Sequence, residues 1–146
     1  MKNTIGLSKE ENKLTASKLN LLLANYEVYY QNLRGFHWNI KGGDFFTLHE
    51  KFEGLYHAAQ ASIDEVAERI LTIGEQPLHT YSNFLSNSTI EEASNLSDSK
   101  GTVETVLSNL TQLIRLEREI LNLANKADAE GTSRIMSDYL TSQEKT

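Results

Sequence analysis

The chain has 146 residues, a single proline, no cysteine and a formal net charge of −6. This length supports one core, so residues 1–146 read as a single domain, and long periodic apolar runs with almost no proline read as all-α. The missing cysteines exclude disulfides and thiolate metal sites; the negative balance argues against a general polyanion binder and fits a soluble shell or a cation handler.

The N-terminal stretch MKNTIGLSKEENK lacks the apolar core of a secretory signal. No run approaches the roughly eighteen apolar residues of a membrane span, so a cytoplasmic location is expected. Ser8-Lys9-Glu10-Glu11 fits a capping box that opens the first helix. The apolar stripe of that helix runs through Leu19, Leu22, Tyr26, Tyr29/Tyr30 and Leu33 and ends on His37. A histidine closing an apolar face is ordinarily a satisfied core residue. Here Phe36-His37-Trp38-Asn39 runs into Lys41-Gly42-Gly43, a break, and a second histidine, His49, follows. With carboxylates on the same following helix, a metal-binding reading of His37 outweighs the core reading. Trp38 reads as interface packing.

Asp44 is a suitable N-cap for the second long helix, which continues towards Gly74 and Pro77. Two stripes run along it. Leu48, Phe52, Leu55, Ala59, Ile63, Val66, Ile70 and Ile73 follow steps of three and four, the spacing of a core-facing face. His49, Glu53, His57, Asp64 and Glu68 form another line, roughly 100–150° around the helix at about 100° per residue. These potential ligands therefore point away from the helix's own bundle. His49 and Asp64 are about 22 Å apart along the axis at 1.5 Å per residue, too far to share one ion whose bonds are about 2 Å long. Two copies of the helix packed antiparallel about a two-fold axis would bring His49 of one towards Asp64 and Glu68 of the other, giving two identical sites.

From Gly74 to about Gly101 the apolar period disappears and Ser, Asn, Thr and Asp dominate. Thr89-x-x-Glu92 offers a capping box for a short helix over roughly Ile90 to Leu96. Such a long connection is unusual unless it spans the bundle or carries its own short element, and one that runs the bundle's length makes the second and third long helices parallel. His79, within it, reads as surface structure. The third long helix carries Val103, Val106/Leu107, Leu110, Leu113/Ile114, Ile120/Leu121 and Ala124, interrupted by Glu117. Pairing with an arginine is the favoured reading of Glu117, ahead of a ligand remnant of an in-bundle metal site. No Glu-x-x-His motif, which di-iron bundles use inside one subunit, occurs. A short last helix starts near Gly131-Thr132 with Ile135/Met136 and Tyr139/Leu140 on its apolar face, and Asp128, Glu130 and Asp138 make this end acidic.

The sequence resembles the Dps proteins, the mini-ferritins. The resemblance is dense over His37-Trp38-Asn39, then Gly43, Phe46, His49, Phe52, Glu53 and Tyr56, then Asp64 through Arg69, and continues more weakly over most of the chain. It implies a ferritin-like four-helix bundle whose long crossover carries a short helix. It implies a ferroxidase that oxidises Fe(II), preferably with hydrogen peroxide, and stores ferric mineral in a hollow homo-oligomeric shell of about twelve subunits. In such a shell iron is bound at two-fold interfaces by His37 and His49 of one subunit with Asp64 and Glu68 of its neighbour. Glu53 stands where the family pattern usually has aspartate and becomes a second-iron or bridging carboxylate. His57, one turn on, is a weaker candidate. The resemblance also places acidic residues of the Asp128, Glu130 and Asp138 region in a cation pore. The family usually continues past a matching Glu-Lys into a Trp-containing segment not seen after Glu144-Lys145 here. The alternative reading is a DNA-condensing structural protein with little catalysis; Lys2, Lys9, Lys13 and Lys18 are offset by Glu10 and Glu11, so direct DNA binding is not favoured.

Overall fold

A computed structural model describes residues 2–146. Its elements are α1 (Lys9–Asn39), α2 (Phe45–Thr72), α3 (Tyr81–Asn87), α4 (Ser99–Lys126) and α5 (Glu130–Lys145). There is no strand among the described residues, and the architecture is the expected all-α, ferritin-like one.

α1 begins where the sequence places it. The Ser8 hydroxyl accepts from the Glu11 N–H at 3.4 Å and donates to Glu10, 3.1 Å away, so one orphan donor of the first turn is satisfied. The helix ends at Asn39; Gly42, with φ of 106°, supplies the left-handed backbone that turns the chain into α2. Asp44 is the N-cap residue of α2, without a side-chain capping bond. α1 and α2 run antiparallel, as the Phe36–Phe52 and Tyr30–Tyr56 ring pairs show. Tyr26 meets Glu117 and Asn32 meets Asn109, so α4 is also antiparallel to α1 and therefore parallel to α2.

The core is built from the predicted stripes. Leu19, Leu22, Leu33 and Phe36 of α1 meet Phe52, Val66 and Ile70 of α2, Leu113 and Ile120 of α4 and Met136 of α5, all buried. Each such side chain contributes about 1.5–3 kcal/mol by leaving water. Val103 and Leu107 of α4, by contrast, face outward.

A line of asparagines on α1 lays the crossover along the bundle. Asn12 donates to the Ile73 carbonyl, and Asn20 donates to that of Gln76 while accepting from the Leu78 N–H at 2.8 Å. Asn25 Oδ1 accepts from the N–H groups of Thr89 and Ile90 at 3.1 and 2.9 Å. Asn32 accepts from the Ala93 N–H at 2.9 Å and donates to the Glu91 carbonyl at 3.0 Å. Crossover backbone groups, buried at Ile73 and Ile90 and part-buried at most of the others, are thus satisfied by side chains of α1. The crossover's helix differs from the expected one. It is α3, capped by the Thr80 hydroxyl, which accepts from the Asn83 N–H, whereas residues 90–96 are irregular. Thr89 does not cap a helix because its hydroxyl lies against Asn25 and Gln112, and the nearby backbone donors are taken by Asn25 and Asn32. No helix among the described residues is long and apolar enough to cross a membrane.

Candidate metal centre

The end of α1 and the start of α2 bring His37 and His49 face to face. Their rings stack with centroids 3.7 Å apart and planes 16° from parallel. His37 Nδ1 lies 2.7 Å from the His49 carbonyl oxygen, and His49 Nδ1 lies 2.8 Å from the His37 carbonyl oxygen. A carbonyl only accepts, so both Nδ1 atoms are donors. In the neutral imidazole each Nε2 then keeps its lone pair, the form in which histidine binds a metal. The His37 carbonyl is available because Lys41, whose N–H would continue the helix, donates instead to Ser97 at 2.9 Å. One imidazole thus satisfies the orphan carbonyl of a helix end while that carbonyl fixes its tautomer.

Aromatic neighbours hold the pair. Phe45 stacks on His49 at 4.9 Å, and Tyr56 approaches His37 edge-on at 5.4 Å. His37 is buried and His49 half-buried. Glu53, one turn beyond His49, is half-buried, while His57, Asp64 and Glu68 are exposed along the same helix. The ligand line therefore does face away from its own bundle. Among the described residues, no three His, Asp or Glu side chains converge on one point. The two histidines come together; Asp64 and Glu68 do not join them within one subunit.

Two residues of this face were not singled out from the sequence. Glu27 of α1 is half-buried, and its carboxyl is pushed above the usual range first by burial and then by the negative charge of Asp64. Nothing in its local sequence marks it, because only the α1–α2 register places it near Asp64. Arg34 lies over the Trp38 ring at 4.9 Å and the Tyr30 ring at 5.2 Å. Its spacing of four residues from each of these aromatics was legible.

Glu117 requires a correction. It is fully buried, and its partner is Tyr26, whose hydroxyl donates to Oε2 at 2.5 Å, not an arginine. Gln143 donates to the same Tyr26 oxygen at 2.6 Å. The helical period explains this: Glu117 shares the inward face of Leu113 and Ile120, while Arg118 pairs with Glu144 on the surface and Arg115 is exposed. Burial pushes the Glu117 carboxyl up to about 7, against the opposing pull of the Tyr26 and Gln143 hydrogen bonds. Asp128, Glu130 and Asp138 are exposed, as is His79.

Residues 16–146 match the ferritin family, described as a ferritin-like domain. A DNA protection during starvation protein of Porphyromonas gingivalis is 40% identical over 140 residues, 96% of this chain and 88% of its own length. Among solved structures, the chain is similar to a Dps protein from Vibrio cholerae O1 with a TM-score of 0.97 and 44% identity, covering 99% of this chain and 91% of that one. That protein is described as a member of a broad superfamily of ferritin-like diiron-carboxylate proteins. A Dps protein from Bacillus brevis matches with a TM-score of 0.90 and 36% identity, over 95% of this chain and 93% of the other.

Proposed function

The chain belongs to the Dps family of ferritin-like proteins, and from that premise we propose that it is a ferroxidase that oxidises Fe(II) and stores the ferric product inside a hollow homo-oligomeric shell. The observation that carries this reading is the His37–His49 pair, whose Nδ1 atoms are both engaged by carbonyls and which, among the described residues of one subunit, is not completed into a three-ligand cluster. Asp64 and Glu68 lie exposed further along the same helix. A two-fold copy completes the donor set: His37 and His49 of one subunit with Asp64 and Glu68 of the partner subunit. Glu53, one turn from His49, serves as the second-iron or bridging carboxylate, and His57 lies near the two-fold axis.

Mixed imidazole and carboxylate donors suit Fe(II), and also zinc or manganese, so the metal is assigned from the family and not from donor type alone. Hydrogen peroxide is the oxidant assigned to the reaction. Two Fe(II) each give one electron, the O–O bond breaks, and two protons complete two waters. Pairing the irons keeps the reduction a two-electron step and avoids hydroxyl radical, which accounts for a protective role in oxidative stress. The protein acts in the cytoplasm as one ferritin-like domain. DNA condensation draws less support, because residues 2–8 fold back before α1, with Asn3 accepting from the Ile5 and Leu7 N–H groups, and the chain carries a net charge of −6. Crystals soaked with Fe(II) and measured at the iron edge test the site. Anomalous density is expected between His37, His49 and the partner's Asp64 and Glu68. Iron elsewhere, with none at His37 and His49, would remove the assignment.

A further inference from the structure

We propose that Arg34 is a positioning residue of this centre, pairing across the two-fold interface with Asp64 of the partner subunit and holding its carboxylate in place before metal arrives. The inference rests on the shared-site reading and adds a residue to it.

Three features of one face lead there. First, Arg34 is held by the Trp38 and Tyr30 rings and the Gln31 amide oxygen at 3.3 Å, and among the described residues it makes no ion pair, although Glu27 and Glu92 line the same cavity. Second, Asp64 has no cationic partner among the described residues, and Glu27 beside it adds only a like charge. Buried together at an interface, unpaired carboxylates oppose assembly. Third, the register matches. The Phe36–Phe52 and Tyr30–Tyr56 pairs put Arg34 about level with Phe52 of α2. An antiparallel copy that sets Asp64 and Glu68 beside His49 has its axis near His57. That same axis sets the level of Phe52 against the level of Asp64. Held by two rings, the side chain keeps a positive charge at the level where the partner subunit's Asp64 arrives.

The expected role has two parts. Without metal, Arg34 offsets the carboxylate charge and keeps the half-site formed. With metal, the cation takes over that charge, so assembly of a variant lacking Arg34 becomes dependent on divalent ions. The test compares the native protein with Arg34→Gln by light scattering over a dilution series, in chelator and with Zn(II), a redox-inert probe. Helix content by circular dichroism accompanies each sample. The native protein is expected to stay assembled in chelator. Arg34→Gln should dissociate at about tenfold higher protein concentration in chelator and recover with Zn(II). Arg34→Lys, which keeps the charge but not the stacking, should recover most of the loss in chelator. The swap Arg34→Asp/Asp64→Arg should assemble in chelator where each single change does not, although its metal binding is gone. Arg34→Gln assembling like native in chelator, or a swap no better than its single parents, overturns the proposal. So does an Arg34→Lys variant as weak as Arg34→Gln, since stacking and not charge would then explain the defect. The shared-site reading stands or falls separately, on whether subunits carrying different lesions complement each other.

Discussion

Glu117 sits at the centre of the bundle with one oxygen accepting from Tyr26 and the other without a partner. A carboxylate in that setting lacks the water it would have when unfolded. Its carboxyl therefore rises from 4.5 to about 7 on folding. The folded protein binds this proton more tightly than the unfolded chain. The contribution is thus fully present below the ordinary carboxylate range and is lost as the pH rises through about 7, with a span on the order of 3 kcal/mol. Glu117→Gln keeps an acceptor for Tyr26 and cannot ionise. Denaturant unfolding from about pH 5 to pH 8 should show native stability falling over this range and the variant losing that part of the slope. Parallel slopes for the two proteins would show that Glu117 does not titrate there. The inward position of this residue was legible from its period, but its partner was not. The sequence places two arginines close by, and only the packing of α1 against α4 puts a tyrosine there instead. The histidine pair was more legible, because a tight turn limits how far apart His37 and His49 can lie. The stacking of their rings and the reciprocal carbonyl bonds were not, since they depend on Lys41 turning away to Ser97.

The long helices could be read from their stripes, because apolar spacing reports the burial of one helix face directly. The crossover could not, because what orders it lies far away in sequence. Thr89-x-x-Glu92 has the form of a helix start, yet Asn25, on another helix, takes the Thr89 and Ile90 donors. Thr80, which does cap the short helix, has Asn83 at the third position, not the acidic residue of a capping box. Asn25→Ala leaves the buried Ile90 N–H and the part-buried Thr89 N–H without their acceptor, at about 1–3 kcal/mol for the buried one before relaxation. We expect a net loss of about 1–3 kcal/mol, with amide exchange at Thr89 and Ile90 accelerating while α1 and α2 keep their protection. Unchanged exchange at those two amides would show that the asparagine line does not hold the crossover.

At the scale of the whole molecule, the proposed function makes one subunit half of a centre. His37 is buried and His49 half-buried at one end of the bundle, Asp64 and Glu68 lie exposed in the second half of α2, and the proposed function needs another copy to bring them together. The separation of His49 from Asp64 along one helix was legible from their spacing alone. What the sequence left hidden was Glu27 beside Asp64, which only the register of α1 against α2 reveals. The measurement that tests the shared centre most directly mixes two inactive proteins. His37→Ala/His49→Ala and Asp64→Ala/Glu68→Ala should each lose most Fe(II) oxidation by hydrogen peroxide. Unfolded together and reassembled, with shell size confirmed by light scattering, they form mixed dimers in which one of the two interface sites is intact. Random assembly makes about half the dimers mixed, so about a quarter of native activity should return. No recovery in mixtures that have assembled to native size would contradict a site built from two subunits.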